Sequence, residues 1–479
     1  MSTILLRRRG DHRNPAGREG HPRRLGAPRD RGRGDDAAPG RYGLFSVVDE
    51  AVAAATEAQQ QLSRLSLDDR ETIVTSIKAM AIEHAAAWGA MEFEETKIGR
   101  LEHKIEKLQI LHRVPGVEWL KTNAASGTHG LCLEEFAPFG VIGVVTPMTH
   151  AVPTVSANAI NMIAAGNALV CNPHPGGAQC VAQAVSAYNR AIAERFGIEH
   201  LMAAVVPPTH DTAELIFQHP GISLLVVTGG LGIARVAVAA QKRAIIAGPG
   251  NPPVVVDETA DLARAAASIV KGAAYDNNLL CIAEKQVFCV ERAFDQLLAE
   301  VQQAGGYRLT RPQIDALSNR AFVRSPADGA LRVNRRCVGQ DASTLARLAG
   351  VCVPVATPLL VGETEAAHAF VQQEQMMPFV PFVRVKDVDE ALELAIESEQ
   401  GLRHTALIHS RNLETITRFG RDAGTTLLVV NGPSLAGLGL GGQGYLSYSI
   451  ATPTGEGMTN PLTFTRYHRV MMTGSLRMI

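Results

Sequence analysis

Cysteine is the residue type in this chain best suited to covalent chemistry, and of the seven cysteines Cys281 has the most suggestive surroundings. It follows a polar pair in the segment Asp276-Asn277-Asn278-Leu279-Leu280-Cys281-Ile282-Ala283-Glu284-Lys285. A helical pattern over 268–275 precedes this segment and a β-rich run over 286–290 follows it. The cysteine therefore falls where the chain changes direction and a side chain reaches a cleft. A thiolate attacks a carbonyl carbon far better than a hydroxyl does at neutral pH, so an exposed cysteine with a lowered pKa is enough to start covalent catalysis. The competing reading is a small buried hydrophobe, the usual state of a free cysteine. Spacing alone leaves both open.

Other candidates fall at the ends of predicted strands. His150 and His174 are placed there either as donors to an oxyanion or a phosphate, or as satisfied structural histidines. Thr228-Gly229-Gly230 ends a strand with a helical run behind it. Free backbone N–H groups and the positive helix end would face a phosphate there, unless the segment is a plain β–α turn. Gly437-Leu438-Gly439-Leu440-Gly441-Gly442-Gln443-Gly444 matches GxGxxG in two registers. A dinucleotide fingerprint must follow a strand and open a helix, whereas Tyr445-Leu446-Ser447-Tyr448-Ser449-Ile450 is aromatic and β-branched. A glycine loop is expected instead. No HExxH, P-loop, EF-hand or CxxC pattern occurs, so no metal is expected.

The elements that must position these residues are α/β. Over 47–120 the pattern is helical, with Ser66-Leu67-Asp68-Asp69 supplying an N-cap ahead of the apolar stripe Ile73, Ile77, Met80 and Ile82. Five β-rich runs (141–145, 168–171, 203–206, 223–227 and 243–246) then alternate with helical runs at 155–165, 178–195, 213–217 and 233–240. Such alternation specifies a doubly wound parallel sheet that binds nucleotides beyond the carboxyl ends of its strands. Those ends are 146–150, 172–175, 207–208 and 228–230. A second α/β unit follows, with strands expected at 254–256, 286–290, 382–385, 405–408 and 426–430. Extended segments at 131–136 and 465–479 lie outside both units and suit pairing across a subunit boundary.

Composition bounds the rest. The chain has 479 residues, 46% hydrophobic and 19% charged, enough for two or three globular domains. Residues 1–40 hold ten Arg and five acidic residues, net +5, which leaves −6 on the remainder from a total of −1. That segment lacks apolar periodicity and reads as a disordered tail. A mildly acidic body argues against nucleic-acid binding. The odd, scattered cysteines point to a reducing cytoplasm, and no apolar stretch reaches the ~18 residues of a membrane span.

Taken together, several ordered runs resemble the aldehyde dehydrogenase superfamily, and within it the coenzyme A-acylating branch associated with bacterial microcompartments. They are Ala137-Pro138-Phe139-Gly140-Val141-Ile142-Gly143-Val144-Val145-Thr146-Pro147, Ala164-Ala165-Gly166-Asn167, Pro173-His174-Pro175, Val226-Val227-Thr228-Gly229-Gly230 and Gly250-Asn251-Pro252-Pro253-Val254-Val255-Val256-Asp257. The segment around Cys281, Met376-Met377-Pro378, His404-Thr405-Ala406, Ile408-His409-Ser410, Asn431-Gly432-Pro433 and Thr452-Pro453-Thr454-Gly455-Glu456-Gly457 extend the resemblance over roughly 42–479.

The resemblance implies a nucleotide-binding domain (41–246, interrupted near 128–137), a catalytic domain (247–460) and an oligomerisation strand (461–479), assembled as homodimers or homotetramers. It implies that Cys281 oxidises a short-chain aldehyde, acetaldehyde or propionaldehyde, with NAD and coenzyme A through a thioester. His150 takes the place of the usual Asn oxyanion donor. The cofactor would lie against Thr146, Pro147, His174, Pro175, Thr228, Gly229 and Gly230, with Glu374 on the nicotinamide ribose. Hydrolytic relatives carry a Glu before paired glycines in the loop ahead of Val254, where this chain has Ala247-Gly248-Pro249-Gly250. A thiol needs less activation than water, so the missing base favours coenzyme A as acceptor. The alternatives are a hydrolytic enzyme giving a carboxylate, or a catalytically dead microcompartment scaffold. Shell or cargo proteins are further implied partners, and the microcompartment lumen an implied location.

Overall fold

In the computed structural model, residues 41–326 and 328–476 are described. The tail expected over 1–40 lies outside them. Four helices come first, Val48–Leu62, Leu67–Glu83, Ala85–Thr96 and Leu101–Gln109. The second opens on the expected capping box, in which Ser66 accepts from the Asp69 N–H while Asp69 accepts from the Ser66 N–H. Ile73 and Ile77 are buried, but Ile82 is 41% exposed. It lies on the opposite side of the helix from that pair, a correction to the expected stripe.

Six parallel strands form the first sheet, in the order Leu44–Phe45, Met202–Val205, Ala168–Pro173, Val141–Thr146, Leu224–Thr228, Ala244–Ala247. Five were expected. The extra one is two residues long, too short for any period to register. The strands 141–146 and 168–173 are buried throughout, as helices on both faces require. Helix Ala151–Ala164 is buried at every position. It begins four residues earlier than its apolar pattern suggested, because Pro153 stands in the first turn, where no N–H is needed.

The second sheet has seven parallel strands rather than five, ordered Gly306–Arg308, Leu359–Glu363, Phe379–Val385, Gln286–Val290, Pro253–Val256, Thr405–His409, Leu427–Val430. Of the two unexpected strands Gly306–Arg308 has only three residues, and neither alternates polar with apolar residues. Gln286–Val290 is a strand, as expected, and lies at the sheet's centre. A third sheet is antiparallel, with Gly130–Pro138 between Asn123–Gly127 and Thr465–Thr473. Both extended segments read from the sequence meet in it.

Candidate active site

Helix Leu262–Ala274 ends just before a 3-10 turn, Tyr275–Asn278, that delivers the chain to Cys281. Asp276, Asn277 and Asn278 have φ of 48°, 55° and 65°. Three successive left-handed residues are costly for anything but Gly, and Asp and Asn tolerate them best because their short polar side chains bond locally. The Asn277 amide group donates to the Gly99 carbonyl (3.2 Å), the Gly339 carbonyl (2.9 Å) and Asp341 Oδ1 (2.9 Å), and its oxygen accepts from Arg100 Nε (2.7 Å). Asn278 donates to the carbonyls of Ala273 (2.9 Å) and Glu284 (3.0 Å). These bonds hold the strained turn. Leu280, Ile282 and Ala283 then pack into the core of the first sheet, although the strand that follows belongs to the second. The cysteine thus stands where the two sheets' bodies meet.

Cys281 is half-buried, not freely exposed. Its thiol is pushed up to about 12, chiefly by burial and further by the Glu374 carboxylate, against the pull of the Lys285 ammonium and the N–H groups of Cys281 and Ile282. The expected lowered pKa is therefore corrected: desolvation outweighs the nearby cation.

The loop lacking the hydrolytic Glu runs directly over the cysteine. A Cβ on Gly250 would stand 2.5 Å from the Cys281 carbonyl oxygen and 2.9 Å from His404 Cγ, so only glycine permits this approach. His404 is fully buried; its Nδ1 lies 2.9 Å from Thr405 Oγ1 and its Nε2 has no protein partner among the described residues. Burial, aided by the Lys285 charge, brings it down to about 4, so the ring is neutral at pH 7. Lys285 itself is brought down to about 8 by burial and donates to the Asn278 carbonyl (2.8 Å) and Oδ1 (2.6 Å). Neither His404 nor Lys285 was singled out from sequence. Their runs were visible, but no spacing links position 404 to position 281.

Glu374 turns inward, accepting from the Gly250 N–H at 3.4 Å, with its carboxyl raised by burial. A carboxylate thus does stand near the cysteine, supplied by another segment. To meet a ribose it must leave that bond.

The strand-end residues are partly brought together. His174 N–H donates to the Thr146 carbonyl (3.1 Å), so the loops carrying Thr146-Pro147 and His174-Pro175 adjoin. His174 Nδ1 accepts from the Gly176 N–H (3.0 Å), capping a 3-10 turn that Pro175 opens. Thr228 is buried, its hydroxyl 2.8 Å from Ser449 Oγ. Gly229 is a correction: its N–H donates to the Ala247 carbonyl at 3.1 Å, extending the sheet, and is not free for a phosphate. Gly230 does precede helix Leu231–Ala239, and a Cβ there would meet nothing within 4 Å. That helix start is open.

His150 lies apart from Cys281 in its bonding. Its Nδ1 is 2.9 Å from Thr149 Oγ1, its ring tilts on Tyr448 at 5.5 Å, and no hydrogen bond joins it to the cysteine among the described residues. Burial, then the Lys107 and Lys104 charges, hold it well below the usual imidazole range. The glycine-rich stretch forms a 3-10 turn, Ser434–Leu438, and a loop with no helix after it. No cluster of metal-ligating side chains occurs among the described residues, and none of their helices is long and apolar enough to cross a membrane.

Residues 45–444 match the model of the aldehyde dehydrogenase family. The chain belongs to that family. This aldehyde dehydrogenase is 42% identical over 447 residues to an acetylating acetaldehyde dehydrogenase of Bilophila wadsworthia, with 92% of each chain covered. Its fold superposes with a TM-score of 0.88 on a propionaldehyde dehydrogenase from the Clostridium phytofermentans fucose utilisation bacterial microcompartment, at 40% identity, covering 91% of this chain and 100% of that one. A Rhodopseudomonas palustris propionaldehyde dehydrogenase solved with bound CoA and an acylated cysteine gives a TM-score of 0.87 at 40% identity, over 90% and 98% of the chains.

Proposed function

We propose that this aldehyde dehydrogenase converts a short-chain aldehyde, acetaldehyde or propionaldehyde, to its acyl-CoA, with Cys281 as nucleophile. The observation that carries the reading is the Gly248-Pro249-Gly250 loop lying on the Cys281 backbone with no carboxylate of its own. Where a hydrolytic enzyme needs a base for water, this chain presents glycine and the neutral His404 ring.

Cys281 gives up its proton to His404 Nε2, which releases it as H+ before coenzyme A reacts, and its sulfur attacks the aldehyde carbon, forming a C–S bond as the C=O π bond breaks to an oxyanion. The N–H groups of Cys281 and Ile282, which already face the sulfur, are the donors we assign to that oxyanion, with the His150 loop closing the site. NAD, when bound, accepts the hydride that leaves the carbon as the thioester forms. The pyrophosphate of the nicotinamide cofactor would fit the helix start at Gly230, where an added Cβ meets nothing within 4 Å. Thr146, Pro147, His174, Pro175 and Thr228 would line the same crevice, and Glu374 would reach the ribose after leaving Gly250. The thiol of coenzyme A then attacks the thioester, its proton goes to His404 Nε2, and the Cys281 thiolate leaves. In the tautomer that donates from Nδ1 to Thr405 Oγ1, Nε2 is the acceptor such a step requires.

In this reading the first sheet serves the nucleotides, the second carries the nucleophile, and the antiparallel sheet joins subunits into a homodimer or homotetramer. Relatives from microcompartments support a place in such a lumen; a reporter carrying residues 1–40 that stays diffuse in shell-making cells would argue against the tail as its address.

The test is product analysis with C2 to C4 aldehydes, with and without coenzyme A, in the wild-type protein and Cys281→Ala. Acyl-CoA and NADH should form together only with coenzyme A, and the folded variant should make neither. Carboxylate formation at equal rate without coenzyme A would establish the hydrolytic reading, and acyl-CoA from the variant would remove Cys281 from the chemistry.

A further inference from the structure

Four charged side chains are sealed together behind the site: Lys104 and Lys107, three apart on one face of helix Leu101–Gln109, with Glu92 and Asp276. None is more than 1% exposed. Lys107 pairs with Asp276 through a short contact, and Lys104 stands 3.1 Å from Glu92 and 3.6 Å from Asp276. Both ammonium groups also donate to one backbone atom, the Thr149 carbonyl, at 2.6 Å from Lys104 and 3.4 Å from Lys107. Glu92 in turn accepts from the Val152 N–H (3.0 Å) at the start of the helix that follows His150. Asp276 Oδ1 accepts from the Arg100 N–H (2.8 Å), and the Asp276 N–H donates to His103 Nδ1 (2.9 Å).

Every partner thus belongs to one of two loops or to the helices behind them. Thr149 and Val152 flank His150; Asp276 begins the left-handed turn leading to Cys281. We propose that Lys104 and Lys107 are positioning residues that clamp the His150 loop to the Cys281 loop and so set the geometry in which the sulfur meets the aldehyde. The inference rests on the reading of Cys281 as nucleophile.

A purely stabilising role is a poor explanation of the arrangement. A buried ion cluster is often no more stable than an apolar one of the same volume, whereas it does fix direction and distance. Two ammonium groups converging on one carbonyl, with carboxylates from separate segments, define a single spacing between those segments. The charges also act on His150. After burial, the Lys107 and Lys104 charges keep its ring neutral, so it presents an N–H without carrying a charge of its own. On the other side, burial would raise the Asp276 carboxyl, but Lys107 and Lys104 outweigh it and bring it to about 2, so Asp276 stays ionised across the neutral range.

The test compares Lys107→Met, Lys107→Met/Asp276→Asn and Lys107→Arg in the full chain, reading thermal midpoint, kcat and each KM. Lys107→Met leaves Asp276 undercompensated and should lower both the midpoint and kcat. The double variant removes one charge of each sign, keeps an oxygen for the Arg100 N–H and leaves the Lys104–Glu92 pair balanced, so its midpoint should recover. Its kcat should remain depressed on the order of a hundredfold, the size expected from a displacement of about 1 Å. KM for NAD and coenzyme A should change far less than kcat, since the clamp holds its loop at Thr149, beyond the Thr146-Pro147 end that would line the cofactor crevice. A double variant that regains wild-type kcat along with its midpoint overturns the clamp. Should neither Met variant fold, Lys107→Arg decides: the wide planar guanidinium keeps the charge but not the single-point geometry, so a normal midpoint with lowered kcat supports the clamp and an unchanged kcat overturns it. The nucleophile reading is judged apart from this, by turnover in Cys281→Ala.

Discussion

A thiol pushed up to about 12 is almost wholly protonated at neutral pH, so the chemistry proposed for Cys281 requires a proton acceptor. His404, neutral, with Nε2 unpartnered among the described residues and packed on the Gly250 that passes over the Cys281 backbone, is the group we assign to that role. His404→Gln should lower kcat by about 10²–10⁴ at pH 7 with KM for the aldehyde little changed; steady-state kinetics measures it, and an unaltered kcat removes His404 from the proton path. In the folded protein, alkylation of the Cys281 peptide, followed by mass spectrometry, should keep accelerating with pH beyond the range where an ordinary thiol levels off, because burial suppresses the thiolate. Cys281 was legible in the sequence because polar asparagines between a helix and a strand mark a turn. His404 was not, since position 404 meets position 281 only through the close pass of Gly250. The Gly229 N–H misled for a related reason: whether a strand-end amide is free depends on how far the neighbouring strand extends, and here it reaches Ala247.

Elements carry strain and titration of their own. Asn277 makes four hydrogen bonds at φ 55°; Asn277→Ala should cost roughly 3 kcal/mol, from the buried carbonyls left unpaired, read by urea denaturation. Ser66→Ala, which removes an exposed cap, should cost about 1 kcal/mol. Glu284, fully buried against Ser434, is raised to about 7, chiefly by burial, although the Ser434 N–H and hydroxyl oppose it. A carboxyl whose folded value exceeds its unfolded one near 4.5 lends stability that is complete below 4.5 and lost as pH rises through 7. Glu284→Gln should therefore flatten the fall in thermal midpoint between those values, and an unchanged slope would show that the carboxyl is not its source. Most helices and central strands were readable because they are long and apolar on a fixed period. The two-residue strand Leu44–Phe45 and the three-residue strand Gly306–Arg308 were not, since pairing with a neighbour, not pattern, makes them strands.

On the scale of the whole molecule, the strand Thr465–Thr473 presents Tyr467 at 82%, Met471 at 63%, Met472 at 44% and Val470 at 41% exposure. An exposed edge strand of nine residues carrying these four side chains is the surface the proposed homodimer or homotetramer would cover. Met471→Lys should shift the protein towards monomer in sedimentation velocity while leaving the far-ultraviolet spectrum unchanged. The sequence placed both extended segments outside the α/β units and suited them to pairing across a subunit boundary; in the structure they pair with each other within the chain. The same sheet bears on how the chain is made. Gly130 pairs with Thr473 and Pro138 with Thr465, so the strand Gly130–Pro138 waits for residues translated after both large sheets before its open edge is closed. Until then it is a bare template for a neighbouring nascent chain, and a product truncated before residue 465 should accumulate in inclusion bodies even though both large sheets are complete.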